Sequence, residues 1–118
     1  MYEVLYKQVI RSNIMNVHIK NIEQQHGCDC RHGSDLHSLP AENDRDRIGK
    51  SGYNKSLTLE ALQDKAYNTN PRANIILKGG PRGKWYLKYC EINTITDRTR
   101  RTKVTKGFTM YVISWDDE

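Results

Sequence analysis

The chain has 118 residues, of which 36% are apolar and 28% are charged, and its formal net charge at neutral pH is +5. This length suits one domain with a single modest core, so we expect residues 1–118 to form one domain. No run of about twenty apolar residues occurs, and no basic segment followed by an apolar one opens the sequence, which argues against a helical membrane span and a secretion signal. We therefore expect a soluble, intracellular protein of the cytoplasm or nucleus of a cell or host.

The first predicted element is a β-hairpin. Tyr2, Val4, Tyr6 and Ile10 share one parity, as in a strand with one buried face, and residues 14–22 supply a second strand. Residues 24–54 are polar and rich in turn-forming residues, which predicts a long polar loop. Such a loop is either a functional excursion, a partly disordered segment, or a segment ordered by a partner or an ion.

A helix is predicted over residues 59–68. Thr58 is a suitable N-cap, Leu57 and Leu62 are spaced for a hydrophobic staple, and Asn70 with Pro71 ends the pattern. This is the one clear helical segment of the sequence.

Two further pairs of strands follow the helix. Residues 73–78 and 84–92 are rich in β-forming residues and flank a turn at 79–83, which predicts a hairpin. A last pair is predicted from residues 99–105 and 108–115, with its turn at residues 106–107. The predicted fold is α+β: an antiparallel sheet of about four to six strands in hairpins, one main helix near residues 59–68 and a long polar loop near residues 24–54.

The basic residues are concentrated in one third of the chain. Residues 71–106 contain ten of the nineteen Lys and Arg side chains and only two acidic ones, so this segment carries a charge of +8. A charge concentration of this kind favours a polyanionic partner through electrostatic attraction and counterion release. This segment is therefore the predicted location of a binding surface.

The hairpin over residues 73–92 provides the first part of that surface. Alternation places Lys84, Tyr86 and Lys88 on one strand face, where two cations and an aromatic ring could contact phosphates and stack on a base. The opposite face is predicted to be core and holds Trp85, Leu87 and Tyr89. Lys78 and Arg82 lie at the turn. The alternative interpretation is a solvated strand face whose lysines prevent edge pairing.

The second part is an Arg-rich segment with Arg98, Arg100, Arg101, Lys103 and Lys106 interspersed with threonines. Guanidinium and hydroxyl groups readily contact phosphate oxygens. Because basic residues occupy both parities, a regular strand is not expected, and a twisted edge or a basic loop suits the pattern better. If this segment lies beside the hairpin, the two form one patch.

A weaker pattern suggests zinc. His26, Cys28, Cys30 and His32 recur at every second position and His37 follows, which is a ligand set that zinc prefers. Ligands at every second position rarely close a tetrahedron, so no cofactor is predicted and zinc stays an alternative. The three cysteines, Cys28, Cys30 and Cys90, are an odd number, which favours reduced thiols.

Two other patterns are set aside. Gly49, Lys50 and Ser51 resemble the end of a phosphate-binding loop, but Asp44 occupies the position of the required glycine. The carboxylates of residues 42, 44 and 46 could hold a divalent ion, although ion pairs with the neighbouring arginines are the simpler prediction.

The sequence thus predicts a small basic nucleic-acid-binding module without catalytic function, which uses the hairpin and the Arg-rich segment to contact phosphates of DNA or RNA. The alternative is a structural or assembly protein, such as a small viral or phage component, that presents the same basic face to an acidic protein surface. Nothing in the sequence indicates a membrane partner.

Overall fold

The computed structural model describes residues 7–10, 16–30, 34–37, 39–49, 52–80, 83–90 and 102–116. Within these residues the chain forms one antiparallel sheet of eight strands, one α-helix and one short 3-10 helix at Ala41–Asn43. The strands are β1 (Lys7–Ile10), β2 (Ile19–Cys30), β3 (Ser34–Leu36), β4 (Arg47–Ile48), β5 (Gly52–Tyr53), β6 (Ile75–Lys78), β7 (Trp85–Tyr89) and β8 (Thr102–Trp115), and the helix is α1 (Leu59–Tyr67).

The strands lie in the order β1-β2-β8-β6-β7-β5-β4, and β3 pairs with β7 next to β5. All of the described pairings are antiparallel. One helix packed on an antiparallel sheet confirms the predicted α+β class, although the sheet has more strands than expected. None of the helices in the described ranges is long and apolar enough to span a membrane.

Helix α1 begins and ends where capping chemistry predicts. The Thr58 hydroxyl accepts a hydrogen bond from the Ala61 amide at 3.2 Å, as an N-cap side chain does. After the last helical residue, the Thr69 hydroxyl donates to the Ala66 carbonyl at 2.9 Å and accepts from the Ala73 amide at 2.7 Å. This hydroxyl links the end of the helix directly to the segment that enters β6.

The main core fills the space between α1 and one face of the sheet. Its buried residues come from the helix and from five strands: Ile19, Ile22, Tyr53, Leu59, Leu62, Ala66, Ala73, Ile76, Trp85, Leu87, Ile113 and Trp115. Both tryptophan indoles are satisfied, since Trp85 Nε1 donates to the Leu57 carbonyl at 3.1 Å and Trp115 Nε1 donates to the Ala73 carbonyl at 2.8 Å.

The opposite face of the sheet carries a second apolar cluster, made of the buried residues Ile75, Leu77, Cys90 and Met110. Strand alternation explains the division, because Ile75 and Leu77 point away from Ile76 on the same strand. Strand β6 is therefore buried on both faces, which accounts for its continuous run of apolar residues.

Two antiparallel strands occur at the N-terminal side as predicted, but their register differs from the prediction, because β1 pairs with residues 22–25 of β2 rather than with residues 14–22. Strand β1 pairs with β2 from Lys7 opposite Gln25 to Ile10 opposite Ile22. Strand β2 extends past the predicted end at residue 22 and continues to Cys30.

The prediction of a long polar loop over residues 24–54 is wrong. This segment contains the second half of β2, the short strands β3, β4 and β5, and the 3-10 helix. Strand hydrogen bonds are made by the backbone, so a polar segment that pairs along its edges needs few apolar side chains to join a sheet.

The predicted turn at residues 106–107 is also wrong, because β8 runs without reversal from Thr102 to Trp115. Opposite it, the pairing shifts from Thr109 facing His26 to Val104 facing Cys28, which marks a bulge with extra residues in β8. Gly107 lies in this bulge with φ of +85°, a conformation that glycine adopts without strain. A glycine that resembled a hairpin turn in the sequence instead bends a long strand.

The prediction of three reduced thiols is wrong for Cys90, which is buried and disulfide-bonded. Cys28 and Cys30 both lie at the end of β2, in a stretch where the backbone is described. An odd number of cysteines guarantees one thiol per chain, but it does not prevent a single disulfide.

An ionic cluster attaches the 3-10 segment to the helix. Lys65 Nζ lies 3.2 and 3.1 Å from the two carboxylate oxygens of Asp44 and 3.3 Å from Asp46 Oδ2. Burial lowers the pKa of Lys65, but the hydrogen bonds and charges of Asp44 and Asp46 outweigh burial and raise that pKa above its ordinary value. The described partner of these carboxylates is thus a helix lysine, whereas the sequence suggested the neighbouring arginines.

We expect Lys65→Met to lower the free energy of unfolding by about 2 kcal/mol, because it leaves the buried Asp44 carboxylate without its charged donor. Since folding raises the lysine pKa, the lysine's share of this stabilisation is present at neutral pH and is lost as the pH rises through the raised pKa. Urea unfolding at pH 7 measures the change. Lys20→Met, at an exposed position of β2, is the control and should change stability by less than about 0.5 kcal/mol.

Candidate nucleic-acid interface

The turn between β6 and β7 is held by its own backbone. The Gly79 amide donates to the Lys84 carbonyl at 2.9 Å, and the Gly83 amide donates to the Gly80 carbonyl at 2.9 Å. Gly83 has φ of +66°, which a residue with a side chain adopts only with strain. These bonds fix the positions from which the neighbouring lysines project.

Three lysines surround this turn. A β-carbon built on Gly83 would lie 3.5 Å from Lys55 Cβ and 3.7 Å from Lys78 Cε, so these two side chains meet at the glycine. Lys84 is exposed, and its Cδ would lie 3.0 Å from a β-carbon on Gly52, so its stem covers the β5 backbone. We call Lys55, Lys78 and Lys84 the basic turn surface.

The charges of this surface are not neutralised by the described part of the chain. The ion pairs formed there involve Lys65, and no described carboxylate pairs with Lys55, Lys78 or Lys84. Lys78 Nζ instead lies 4.7 Å from the centre of the Trp85 ring, a cation–π contact that leaves its positive charge in place. The surface therefore keeps three cationic groups available for an anion.

The predicted cations do not lie on one face. Lys78 is opposite Trp85 and Leu77 is opposite Tyr86, so Lys78 shares the helix-covered face with Trp85, whereas Lys84 and Lys88 alternate to the other face. Lys88 is half-buried opposite Asp35 of β3. The predicted Lys-Tyr-Lys stripe is thus incomplete as a free surface, and the cations meet around the end of the hairpin rather than along one strand.

The solvent exposure of Tyr86 and Tyr89 differs from the prediction. Tyr86 is only half-exposed and packs against the second apolar cluster, so it is not a free stacking ring. Tyr89, predicted as core, is 36% exposed at the end of β7. Trp85 and Leu87 are buried as predicted. Alternation gives the correct parity, but it does not reveal that apolar residues cover both faces of this sheet.

The middle of β8 lies beside the basic turn surface. Thr109 is paired with Lys78, and a β-carbon built on Gly107 would lie 3.6 Å from Gly80 Cα. The backbone of Lys103 and Lys106 belongs to β8, with Lys103 opposite Asp29, so a strand with a bulge passes through these two positions. Arg82, Arg98, Arg100 and Arg101 lie outside the described residues.

Arg72 belongs to the same basic third of the sequence but lies elsewhere. Its guanidinium carbon is 4.0 Å from the centre of the Tyr67 ring and 5.6 Å from that of Trp115, and its Nε donates to the Tyr67 carbonyl at 3.1 Å. This arginine is used in packing at the other end of the sheet.

The structure describes the side chains of only some of the predicted zinc ligands. The Gln24 amide donates to His26 Nε2 at 2.9 Å, and His26 Nδ1 faces the Thr109 hydroxyl at 3.4 Å, so both ring nitrogens are engaged. His37 is exposed, and its Nε2 atom lies 3.5 Å from Arg47 Nη2. Partial burial and the positive charge of Arg47 lower the pKa of His37, although the negative charge of Asp35 opposes this change. His32 lies outside the described residues, as do the side chains of Cys28 and Cys30. In the part of the chain that is described, no three potential ligands come together.

Sequence reasoning missed Lys55 as a member of the basic surface. It precedes the helix by four residues and lies far from the basic third of the chain, and only the fold brings it to Gly83. The chain matches no known protein family, no curated protein and no solved structure.

We expect the effects of three aromatic substitutions on β7 on the free energy of unfolding to increase with the burial of the side chain removed. Trp85→Ala should lower the free energy of unfolding by about 3 to 5 kcal/mol, because it empties a large site in the main core. Tyr86→Ala should cost about 1 to 2 kcal/mol because the ring no longer packs on the second cluster. Tyr89→Ala is the control and should cost less than about 0.5 kcal/mol.

Thermal or urea unfolding of the three variants ranks them. A Tyr86→Ala variant as stable as the parent chain would show that the packing of Tyr86 contributes nothing, and would restore the exposed stripe of the sequence-based prediction.

Proposed function

We propose that this chain is a non-catalytic nucleic-acid-binding module that contacts phosphates through the basic turn surface and the Arg-rich segment that leads into β8. The observation that supports the proposal is the proximity of Gly80 and Gly107, since a β-carbon built on Gly107 would lie 3.6 Å from Gly80 Cα. The turn therefore lies beside the part of β8 that directly follows Lys106 in sequence.

The chemistry of the surface supports phosphate as the ligand group. Lysine ammonium groups on flexible stems neutralise phosphates as point charges and do not require a fixed ligand geometry. Two backbone hydrogen bonds hold Gly79 to Lys84 and Gly83 to Gly80, next to the positions from which Lys78 and Lys84 project. This combination favours contact with a repeating anionic backbone over recognition of a single small anion.

The first test removes two exposed cations. We expect Lys55→Gln with Lys84→Gln to weaken binding at low salt and to reduce the slope of log K against log salt by about 0.9 for each duplex phosphate that the variant no longer neutralises. Fluorescence titrations with single- and double-stranded DNA and RNA at several salt concentrations measure both quantities.

The matched control is Lys20→Gln with Arg45→Gln, which removes the same charge from exposed positions outside the surface. A control that weakens binding as much as the test variant would mean that only the net charge of the chain matters, and that no localised site exists.

A second variant tests the Arg-rich segment. Replacement of Arg98, Arg100 and Arg101 by alanine should reduce the salt slope by the equivalent of about two to three phosphates, at roughly 0.9 for each. An unchanged slope in this triple variant would remove the segment from the site and leave the basic turn surface alone.

Competition distinguishes nucleic acid from an acidic protein surface. A nucleic-acid complex should resist an excess of polyglutamate at equal charge, because sugar and base contacts add to the charge term. Displacement by polyglutamate at matched charge concentration would favour an acidic protein as the partner of the basic surface.

A further inference from the structure

A groove at the other end of the sheet has a different chemistry. It has a volume of about 380 Å³ and is lined by Asn16, Val17, His18, Asp64, Tyr67 and Asn68. We call it the His18 groove. It lies beside the end of β8, where the Asp116 amide donates to the His18 carbonyl at 2.7 Å, whereas Thr109 lies at the basic turn. The strand segment from Thr109 to Asp116 spans roughly 20 Å.

The groove contains a preformed stack of rings. The His18 and Tyr67 rings are parallel within 7°, with their centres 4.3 Å apart. The Arg72 guanidinium lies 4.0 Å from the centre of the same tyrosine ring, and two planar groups at that distance must occupy opposite faces. Tyr67 is therefore held between His18 and Arg72. His18 is solvent-exposed although Tyr67 covers one face of its ring, so part of the imidazole is accessible from the groove.

The turn that carries His18 is fixed by polar contacts. Asn16 donates from its amide to Gln63 Oε1 at 3.1 Å and from Nδ2 to Asp64 Oδ1 at 2.9 Å, and its Oδ1 accepts from the His18 amide at 2.9 Å. Gln63 is fully buried, so the turn is anchored in the interior. The imidazole is thus held in place before any ligand binds, which lowers the entropy cost of stacking.

The polar groups of the groove favour a ligand that donates hydrogen bonds. Asp64 is exposed, and its carboxylate accepts one hydrogen bond from Asn16, which leaves acceptor capacity on both oxygens. Asp64 and the carbonyl groups of the last helical turn make this end electronegative. Val17, which is 83% exposed, adds an apolar wall. A ligand here must be planar, stack on an imidazole, and offer N–H groups to a carboxylate.

We propose that the His18 groove binds a guanine base, which stacks on the accessible part of the His18 imidazole and donates N1–H and N2–H to the Asp64 carboxylate. Among the common bases, guanine alone presents two adjacent N–H donors on the edge used for base pairing. Adenine would direct its N1 acceptor at the carboxylate, and uracil flanks its single N–H with two carbonyls. The site is independent of the basic turn surface, because a nucleoside without phosphate satisfies every contact.

The experiment titrates the ¹⁵N-labelled chain with guanosine, inosine and adenosine and follows the amide resonances of His18 and Tyr67. Guanosine should shift both resonances. Inosine, which lacks the 2-amino group, and adenosine should bind about fivefold or more weakly. Equal affinity for the three nucleosides, or no response to guanosine at these amides, overturns the proposal without any substitution.

Variants assign the contacts. Asp64→Asn should weaken guanosine binding about fivefold or more and abolish the preference over inosine. Glu60→Gln, with the same charge change one turn earlier on α1, is the matched control and should bind as the parent does. His18→Ala should weaken binding about fivefold or more because the stacking surface is removed, whereas His18→Phe, which keeps an aromatic face, should retain binding. Retained preference in Asp64→Asn, or equal weakening in Glu60→Gln, refutes the assignment.

Discussion

The structure depends on the burial of the three apolar residues of β6, Ile75, Ile76 and Leu77. This four-residue strand is hydrogen-bonded to β7 on one edge and to β8 on the other, and apolar residues cover both of its faces. Asn74, just before the strand, extends both pairings. Its backbone amide donates to the Lys88 carbonyl, its carbonyl accepts from Ile113, and its side-chain amide is bonded to the backbone of Cys90 in both directions. With these four hydrogen bonds, two from its backbone and two from its side chain, the buried Asn74 fixes the register of β6, β7 and β8 relative to one another.

Strand β8 pairs with β6 and also contacts both candidate surfaces. It passes β6 between Thr109 and Val112, and its two ends continue in opposite directions. On one side of this contact the Gly107 bulge lies beside the turn of the basic hairpin, and on the other side the Trp115 ring packs against the Tyr67 ring, with their centres 5.4 Å apart. The positions of Lys78 and His18 relative to the core are therefore set by pairing with the same strand.

The helix and the central hairpin could be predicted because their signals are local. Thr58 caps the helix with its own hydroxyl, and the glycine-rich turn lies between two β-rich runs, so neighbours in sequence carry the information. The polar segment of residues 24–54 gave no such signal, because short edge strands are held by backbone bonds that any residue can make.

The parts of the sites that sequence reasoning missed depend on distant residues. Lys55 meets Lys78 only through the pairing of β5 with β7, and His18 meets Tyr67 only because the start of β2 lies beside the end of the helix. Residues 71–106 concentrate positive charge in the sequence, but those of their basic side chains that the structure describes do not all lie on one face. Arg72 is used inside the ring stack, and Lys78 and Lys84 occupy opposite faces.

The two candidate surfaces should act as separate sites at physiological ionic strength. Exposed charges are screened over about 8 Å at that salt concentration, whereas roughly 20 Å of strand separate the basic turn from the His18 groove. The cations at one end therefore have little effect on the Asp64 carboxylate at the other. Stacking on His18 depends on ring contact and is nearly independent of salt, whereas phosphate binding at the basic turn weakens steeply as salt rises. Salt thus separates the two contributions in the intact chain, without any substitution.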